Sequence, residues 1–357
     1  MNILLLTFRL NRGTALGKSL RNLGHNVVVE AVGLPNSSIL KNLWRLVASF
    51  FRHRSRFDVV IAESLDYNGL LSLFFSMFNG TPFVVHLRGF YPVDSLDTSS
   101  DISRWIDNKF SITVLSRASH ISYNSGFLQT QYNEFFKIHG KKNIRQKPST
   151  IIHQSIDEEY FEEYVSSDSQ VKRILYVGNL NFKGKFLGVR LLLDFWSKYR
   201  LEDGLVLTIV GSGRYLHCLE ELVEKDEIEK VEFLGHVSKQ ELIKLYNSSR
   251  LFVYPSYQDA FPSVVLEAQA MGLPAIVTNT SGAQEIVVDG VTGIVCEPQM
   301  EALGNAIKRL LDDVPLRDEM SVKAKLHIKK TFTWDIAASQ FVTILNNIVS
   351  VSEDSNL

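Results

Sequence analysis

The sequence predicts an α/β protein built from two similar domains, each a parallel sheet with helices on both faces. Three observations lead there. Short apolar runs alternate with stretches of helical length, and those runs are apolar throughout, as in sheets buried on both sides. The cycle also stops at a polar stretch near the middle of the chain and begins again. A length of 357 residues suits two domains, and 45% hydrophobic residues give each a core of its own.

The first cycle opens with a strand at 2–7, a loop at 9–13 and a helix at 14–23. Gly24-His25 turns the chain into a strand at 26–31. A strand at 59–62, a helix at 67–78 and a strand at 83–87 follow. Further apolar segments at 112–115, 120–123 and 150–152 extend the sheet. Residues 39–57 have two readings. Leu40, Leu43, Trp44, Val47, Phe50 and Phe51 keep helical spacing among Lys41, Arg45, Arg52, Arg54 and Arg56. Helices covering a sheet show that pattern, and so do helices lying in a membrane interface. The apolar stretch 70–78 reads as a buried helix.

The polar stretch 158–172, centred on Ser166-Ser167-Asp168-Ser169, reads as the linker. The second cycle then places strands at 173–177, 206–210, 231–234, 251–254, 275–278 and 292–296. Helices alternate with them at 189–199, 215–225, 239–247, 263–271 and 301–311. The tail is helical at 317–330 and 334–349, and its last helix is expected to pack back on the first domain. The expected division is therefore 1–165, 166–330 and a returning segment 331–357. Two such domains imply a cleft, with ligands at the C-terminal edges of the strands.

A formal charge of −1 argues against general electrostatic binding of nucleic acid. Cys218 and Cys296 stand far apart without metal-ligand spacing, which suits a reducing compartment. Ile3-Leu4-Leu5-Leu6 is too short for a signal-peptide core, and no stretch reaches the roughly 20 apolar residues of a spanning helix. The tripeptides Asn36-Ser37-Ser38 and Asn247-Ser248-Ser249 match the glycosylation pattern and, without secretion, read as chance matches.

Chemistry concentrates around Asp259 and Glu267. A helix beginning near Pro262 or Ser263 leaves Asp259 in the preceding loop and Glu267 in the early turns, so that both acids can face a ligand at the helix's positive end. Taken alone, the pair also reads as a loop acid and a surface acid. Gly13, Gly178, Gly211 and Gly213 stand at strand-to-helix turns, where backbone amides can approach phosphates. None forms a G-x-G-x-x-G or G-x-x-x-x-G-K-[ST] pattern, so dehydrogenase and nucleotide-hydrolase readings are poorly supported. Lys183 either neutralises a diphosphate or is a solvated surface lysine.

Residues 254–298 combine Pro-Ser after a strand, acid-x₇-Glu, Gly272-x-Pro274, Gly282-x-x-Glu285 and Asp289-Gly290-x-x-Gly293. In this ordered set the chain resembles the retaining glycosyltransferases of family 4 (glycosyl transferases group 1), which have the GT-B fold of two Rossmann-like domains facing a cleft. Weaker matches, such as Val84-Val85-His86, Val177-Gly178, Val210-Gly211-x-Gly213 and Phe332-Thr333-Trp334, spread the resemblance over nearly the whole chain. The resemblance implies a nucleotide-sugar donor, UDP- or GDP-linked, with no further cofactor. It also implies a glycan or lipid-linked acceptor over the first domain. By it, Glu267 binds the donor ribose and Asp259 lies by the transferred sugar. Amides around Phe261, Pro262, Ser263 and Val264 meet the sugar or diphosphate, Lys183 pairs with the diphosphate, and Gly13 lets a loop approach it. His86, on the loop after residues 83–85, matches a histidine near the reacting sugar; alone, it reads equally as a structural loop residue.

The chain departs from the family pattern in three places. Asp259 stands where Glu is usual, and Asn179 replaces a frequent arginine, for which Arg214 or Lys185 are candidate substitutes. His153-Gln154-Ser155-Ile156-Asp157 replaces Pro-Asn-Gly-Val-Asp. The expected mechanism is retaining. It is also expected to be metal-independent, since the sequence has no D-x-D. The expected setting is the cytoplasmic side of a membrane, in polysaccharide or lipopolysaccharide assembly, with possible peripheral contact through the first domain. A sugar-nucleotide epimerase and a non-catalytic sugar-nucleotide binder are the alternatives.

Overall fold

The computed structural model describes residues 1–7, 10–31, 39–53, 57–89, 101–161, 172–199 and 204–354. Arg9, Asn36-Ser37-Ser38, Arg54, Arg56 and the linker centre 166–169 lie outside the described residues. The chain forms two compact units, one of Met1–Ser155 with Trp334–Leu357 and one of Ile156–Thr333.

The first unit holds β1 (Asn2–Leu6), β2 (Asn26–Glu30), β3 (Val59–Ala62), β4 (Phe83–Leu87), β5 (His120–Tyr123) and β6 (Ser149–Ile151). They form one parallel sheet in the order β2-β1-β3-β4-β5-β6. β3 and β4 are buried at every residue, which is why they read as unbroken apolar runs. The covering helices are α1 (Leu10–Asn22), α2 (Ile39–His53), α3 (Tyr67–Asn79), α4 (Asp101–Arg117), α5 (Gly126–Ile138) and the short α6 (Lys142–Arg145).

The second unit holds β7 (Lys172–Val177), β8 (Leu205–Val210), β9 (Val231–Gly235), β10 (Leu251–Tyr254), β11 (Ala275–Thr278) and β12 (Gly293–Cys296). This sheet is also parallel, in the order β12-β11-β10-β7-β8-β9. Its helices are α7 (Lys183–Lys198), α8 (Leu216–Lys225), α9 (Lys239–Ser248), α10 (Ser263–Ala270), α11 (Met300–Asp312) and α12 (Val314–Thr331). The last helix, α13 (Trp334–Asp354), belongs to the first unit. There Trp334, Ala338, Phe341 and Leu345 share a core with Ile3, Leu5, Leu16 and Leu20.

Each sheet reverses its direction of growth once, between β1 and β3 in the first unit and between β7 and β10 in the second. At such a reversal the loops leave the sheet in opposite directions and open a crevice at the C-terminal ends of the strands.

The structure corrects four expectations. Residues 112–115 are not a strand but the end of α4, where Val114 and Leu115 are buried; a short apolar run does not distinguish a buried strand from a buried helical turn. The first boundary falls at Ser155/Ile156 rather than near 165, because Ile156 donates its N–H to Phe332 O at 3.0 Å and Tyr160 packs in the second core. The second falls at Thr333/Trp334 rather than at 330. Finally, α1 starts at Leu10 and α7 at Lys183, so Gly13 and Lys183 are helical rather than in loops.

Candidate active site

The crevice of the second unit is framed by the loops after β7 and β10. Asp259 lies in the second of these and is held through both carboxylate oxygens. Oδ2 accepts the Tyr254 hydroxyl at 2.7 Å and lies 2.9 Å from Lys185 Nζ; Oδ1 accepts the Phe261 N–H at 3.2 Å. Tyr254 ends β10 and stacks against Tyr176 on β7, with ring centroids 5.6 Å apart and planes 8° from parallel. Burial, and then the Asp259 charge, push the Tyr254 phenol well above its ordinary range, so it acts as a neutral donor. The Lys185 ammonium also lies over the rings of Phe182 and Tyr254, at 5.6 and 5.9 Å.

Pro262 stands at the N-cap of α10 with no side-chain cap, and Val265 donates back to its carbonyl at 3.1 Å. The amides of Ser263 and Val264 therefore head the helix, whose dipole favours negative charge there. Phe261 is buried behind them. Glu267 sits one turn in, as the sequence spacing requires, and its Oε2 accepts the Tyr246 hydroxyl at 3.1 Å. The Tyr246 phenol is likewise pushed well above its usual value, by burial and then by Glu267.

The glycines hold the loops together. A Cβ on Gly211 would come within 1.8 Å of Gly178 O, and the φ of Gly211 is 142°. The loops after β7 and β8 are thus pressed back to back, joined by Gly178 N–H to Val210 O and Leu180 N–H to Ser212 O, each 3.0 Å. Gly213 abuts Leu180 in the same way. Gly188 matters equally, since a Cβ there would lie 1.4 Å from Pro255 O, so α7 rests directly on the β10 loop. Lys183 is the exposed first residue of α7. The structure thus gathers Asp259, Phe261, Pro262, Ser263, Val264 and Glu267 on one loop and helix. It also puts Lys185 on Asp259.

The two candidates in the first unit take other places. Gly13 is buried inside α1, where a Cβ would meet the Thr7 side chain at 2.5 Å; tight packing accounts for the glycine. His86 is not in a loop but within β4, buried, with Nδ1 2.8 Å from Ser122 Oγ and its ring edge-on to Phe341. Burial, reinforced by Arg88, holds its pKa well below the ordinary imidazole range. A cavity of about 700 Å³ opens at the opposite edge of that sheet, lined by Pro82, His120, Pro148, Ile344 and Val351 among others, and contains none of these residues.

Sequence reasoning missed the supporting tyrosines. Tyr176 and Tyr254 occupy matching places near the ends of neighbouring strands. A hydroxyl at such a position is the signal that was available.

Residues 157–327 match the family model for glycosyl transferases group 1. That match lies within the second unit. Over 186 residues the chain is 31% identical to an uncharacterised glycosyltransferase of Methanocaldococcus jannaschii, covering 52% of this chain and 47% of that one. A second glycosyltransferase of the same organism is 23% identical over 90% of this chain and 83% of its own length. The chain spans less than half the length of the first curated relatives it matches. Among solved structures, sucrose-phosphate synthase from Thermosynechococcus elongatus superposes with a TM-score of 0.77 at 18% identity, covering 98% of this chain and 100% of that one. Anabaena HepE in complex with UDP-glucose gives 0.74, also at 18%, covering 97% and 100%. The fold is GT-B.

Proposed function

We propose that this chain transfers a sugar, with retention of anomeric configuration, from a nucleotide-sugar donor to a glycan or lipid-linked glycan in polysaccharide or lipopolysaccharide assembly. The observation that carries the reading is the second unit's crevice, where a fully held carboxylate, Asp259, precedes an uncapped helix N-terminus and Glu267 follows one turn later. Departure of a nucleoside diphosphate develops negative charge on its terminal phosphate. The Ser263 and Val264 amides and Lys183 then stabilise the transition state more than the ground state, and no metal is required. Glu267 binds the ribose hydroxyls. Asp259, fixed by Lys185 and Tyr254, orients the transferred sugar by its hydroxyls. The acceptor hydroxyl attacks from the face the diphosphate leaves, and the departing oxygen takes its proton. The UDP-glucose complex of Anabaena HepE supports a donor of this class.

A thermal-shift panel of UDP-, GDP- and ADP-sugars tests this. One nucleotide series should stabilise the protein, and Lys183→Ala and Glu267→Ala should both weaken it. Loss of neither effect would refute the assignment. Epimerisation of UDP-N-acetylglucosamine without acceptor would replace transfer as the activity, and donor binding with neither transfer nor hydrolysis would leave only a binding protein.

We also infer that the first unit meets an anionic membrane surface through α2 and the end of α3. Trp44, Val47 and Phe51 on α2 and Met77 and Phe78 on α3 are exposed, with Trp44 at 72%. Phe50 bridges them, 5.7 Å from both Phe51 and Phe78. Residues 31–57 contain no Asp or Glu, and Lys41 and Arg45 flank the patch, as does Arg52, whose Nη1 lies 3.4 Å from Glu30 Oε1. Among the described residues no helix is long and apolar enough to cross a membrane. The protein should therefore co-sediment with phosphatidylglycerol vesicles more than with phosphatidylcholine vesicles, and Trp44→Ser with Phe78→Ser should abolish the difference. Equal recovery with both lipids would refute the inference.

A further inference from the structure

The reversal point of the first sheet carries a charged pair that the proposed reaction does not use. Glu63 follows β3 and donates its N–H to Leu6 O at 3.0 Å, so it sits beside β1, where the sheet changes direction. Arg88 follows β4, and its Nη2 donates to Glu63 Oε1. The Glu63 side chain is 0% exposed and that of Arg88 8%. Glu63 Oε2, Arg88 Nε and Arg88 Nη1 are nevertheless buried with no hydrogen-bond partner among the described residues. A buried polar group left unpaired is destabilising, so three together at the end of neighbouring strands point to a ligand that satisfies them.

The surroundings are built to hold the pair. Asn124 Nδ2 donates to Arg88 O at 3.1 Å, Tyr132 donates its hydroxyl to Gly89 O at 3.3 Å, and His153 Nδ1 lies 3.0 Å from Asn124 O. The loops after β4, β5 and β6 are thereby tied to one another. His86, next in line, spends its Nδ1 on Ser122, whereas the pair keeps three polar atoms without a hydrogen-bond partner among the described residues.

The pairing selects the ligand. A carboxylate beside a guanidinium carries no net charge, so an anionic ligand meets Glu63 and a cationic one meets Arg88, each unfavourably. A hydroxyl group suits both, because it donates to Glu63 Oε2 while accepting from Arg88. We propose that Glu63 and Arg88 form a subsite for the hydroxyl groups of an uncharged sugar and discriminate against sugars bearing a carboxylate. The assignment rests on the glycosyl-transfer reading. The sugar comes either from the donor or from the acceptor.

Calorimetric titration of the full chain separates these sources. One arm compares UDP-glucose with UDP-glucuronate, or GDP-mannose with GDP-mannuronate if the panel above selects GDP. The other compares methyl glucoside with methyl glucuronide at saturating nucleotide. In one arm the wild type should prefer the neutral sugar by roughly tenfold or more, and that arm identifies the source. Glu63→Gln leaves Arg88 unbalanced and should erase or reverse the preference. Glu63→Gln combined with Arg88→Gln removes both charges and should erase it without reversal, and this variant carries the test if the single one fails to fold. No preference in either arm, no gain over bare nucleotide from any sugar, or a preference unchanged in the variants would overturn the subsite. Bare nucleotide should bind all three proteins equally; its failure to bind the wild type would bring down the glycosyl-transfer reading itself, and the subsite with it.

Discussion

The two sheets share strand number, direction and reversal, yet their strand-end crevices are built from opposite materials. In the second unit, glycines let backbone meet backbone, and aromatic rings from β7 and β10 support a carboxylate whose oxygens are both engaged. In the first, the corresponding place holds a buried ion pair with three orphaned polar atoms, and the nearby glycine fits against a side chain. A rigid crevice of close backbone contacts, in which the buried Tyr176 hydroxyl has no hydrogen-bond partner among the described residues, suits a ligand whose phosphates and ribose are constant. A crevice whose polar groups await partners suits recognition that differs from one substrate to another.

The largest expected effect tests the difference in packing. Gly188→Ala must displace the Pro255 carbonyl, a backbone atom, and is expected to cost at least about 3 kcal/mol. Gly13→Ala meets side chains only, chiefly the Thr7 methyl, which can turn aside, then the Thr7 Cβ and a Val29 methyl, and should cost about 1–2 kcal/mol. Urea midpoints at constant m value measure both. Equal costs would mean that the second crevice is no more tightly fixed than the first. Next comes Asp259. Asp259→Asn removes the charge that Lys185 and Tyr254 hold, and sugar transfer should fall about 100-fold while the thermal shift by bare nucleotide persists. Loss of nucleotide binding instead would place Asp259 on the nucleotide rather than on the sugar.

What the sequence made legible follows the same division. The α10 start, Asp259 before it and Glu267 within it were readable because proline, apolar run and Gly272 turn fix a helix locally. Both sheets were readable because buried parallel strands are unbroken apolar runs. What stayed hidden depended on contacts between distant segments. Tyr246 reaches Glu267 from another helix, and Lys185 reaches Asp259 from α7. His86 looked like a loop histidine because a motif locates a residue along the chain without saying which way its strand faces. Glu63 and Arg88, 25 positions apart, carry no shared motif at all.

A smaller effect tests the placement of His86. Its folded pKa is depressed, by burial first and Arg88 second, while Ser122 and Phe341 are its other neighbours. Below the ordinary value of 6.5 the unfolded chain takes up a proton that the folded chain refuses. Stability is therefore full above that pH and falls as the solution is acidified, by up to about 1.4 kcal/mol per pH unit. Other histidines titrate too, so the readout is the difference between wild type and His86→Gln in urea denaturation at pH 7.5 and 5.5. The variant should lose part of the acid sensitivity. An unchanged slope would show that His86 meets solvent, as a group at the reacting sugar would.

The smallest effect belongs to Tyr246. Its hydroxyl is the buried, neutral donor that fixes one oxygen of Glu267 at 3.1 Å, and from α9 it also lies 3.4 Å from Val264 O in the first turn of α10. Tyr246→Phe removes the hydroxyl shared between Glu267 and Val264 O, worth about 1 kcal/mol, and leaves the ring packed against Phe252. Nucleotide affinity should fall about fivefold, with sugar transfer at saturating donor unchanged, because the ribose contact is equal in ground and transition states. A fall in turnover at unchanged affinity would mean that Glu267 acts at the bond being broken, and the two carboxylates of the second crevice would then have to exchange roles.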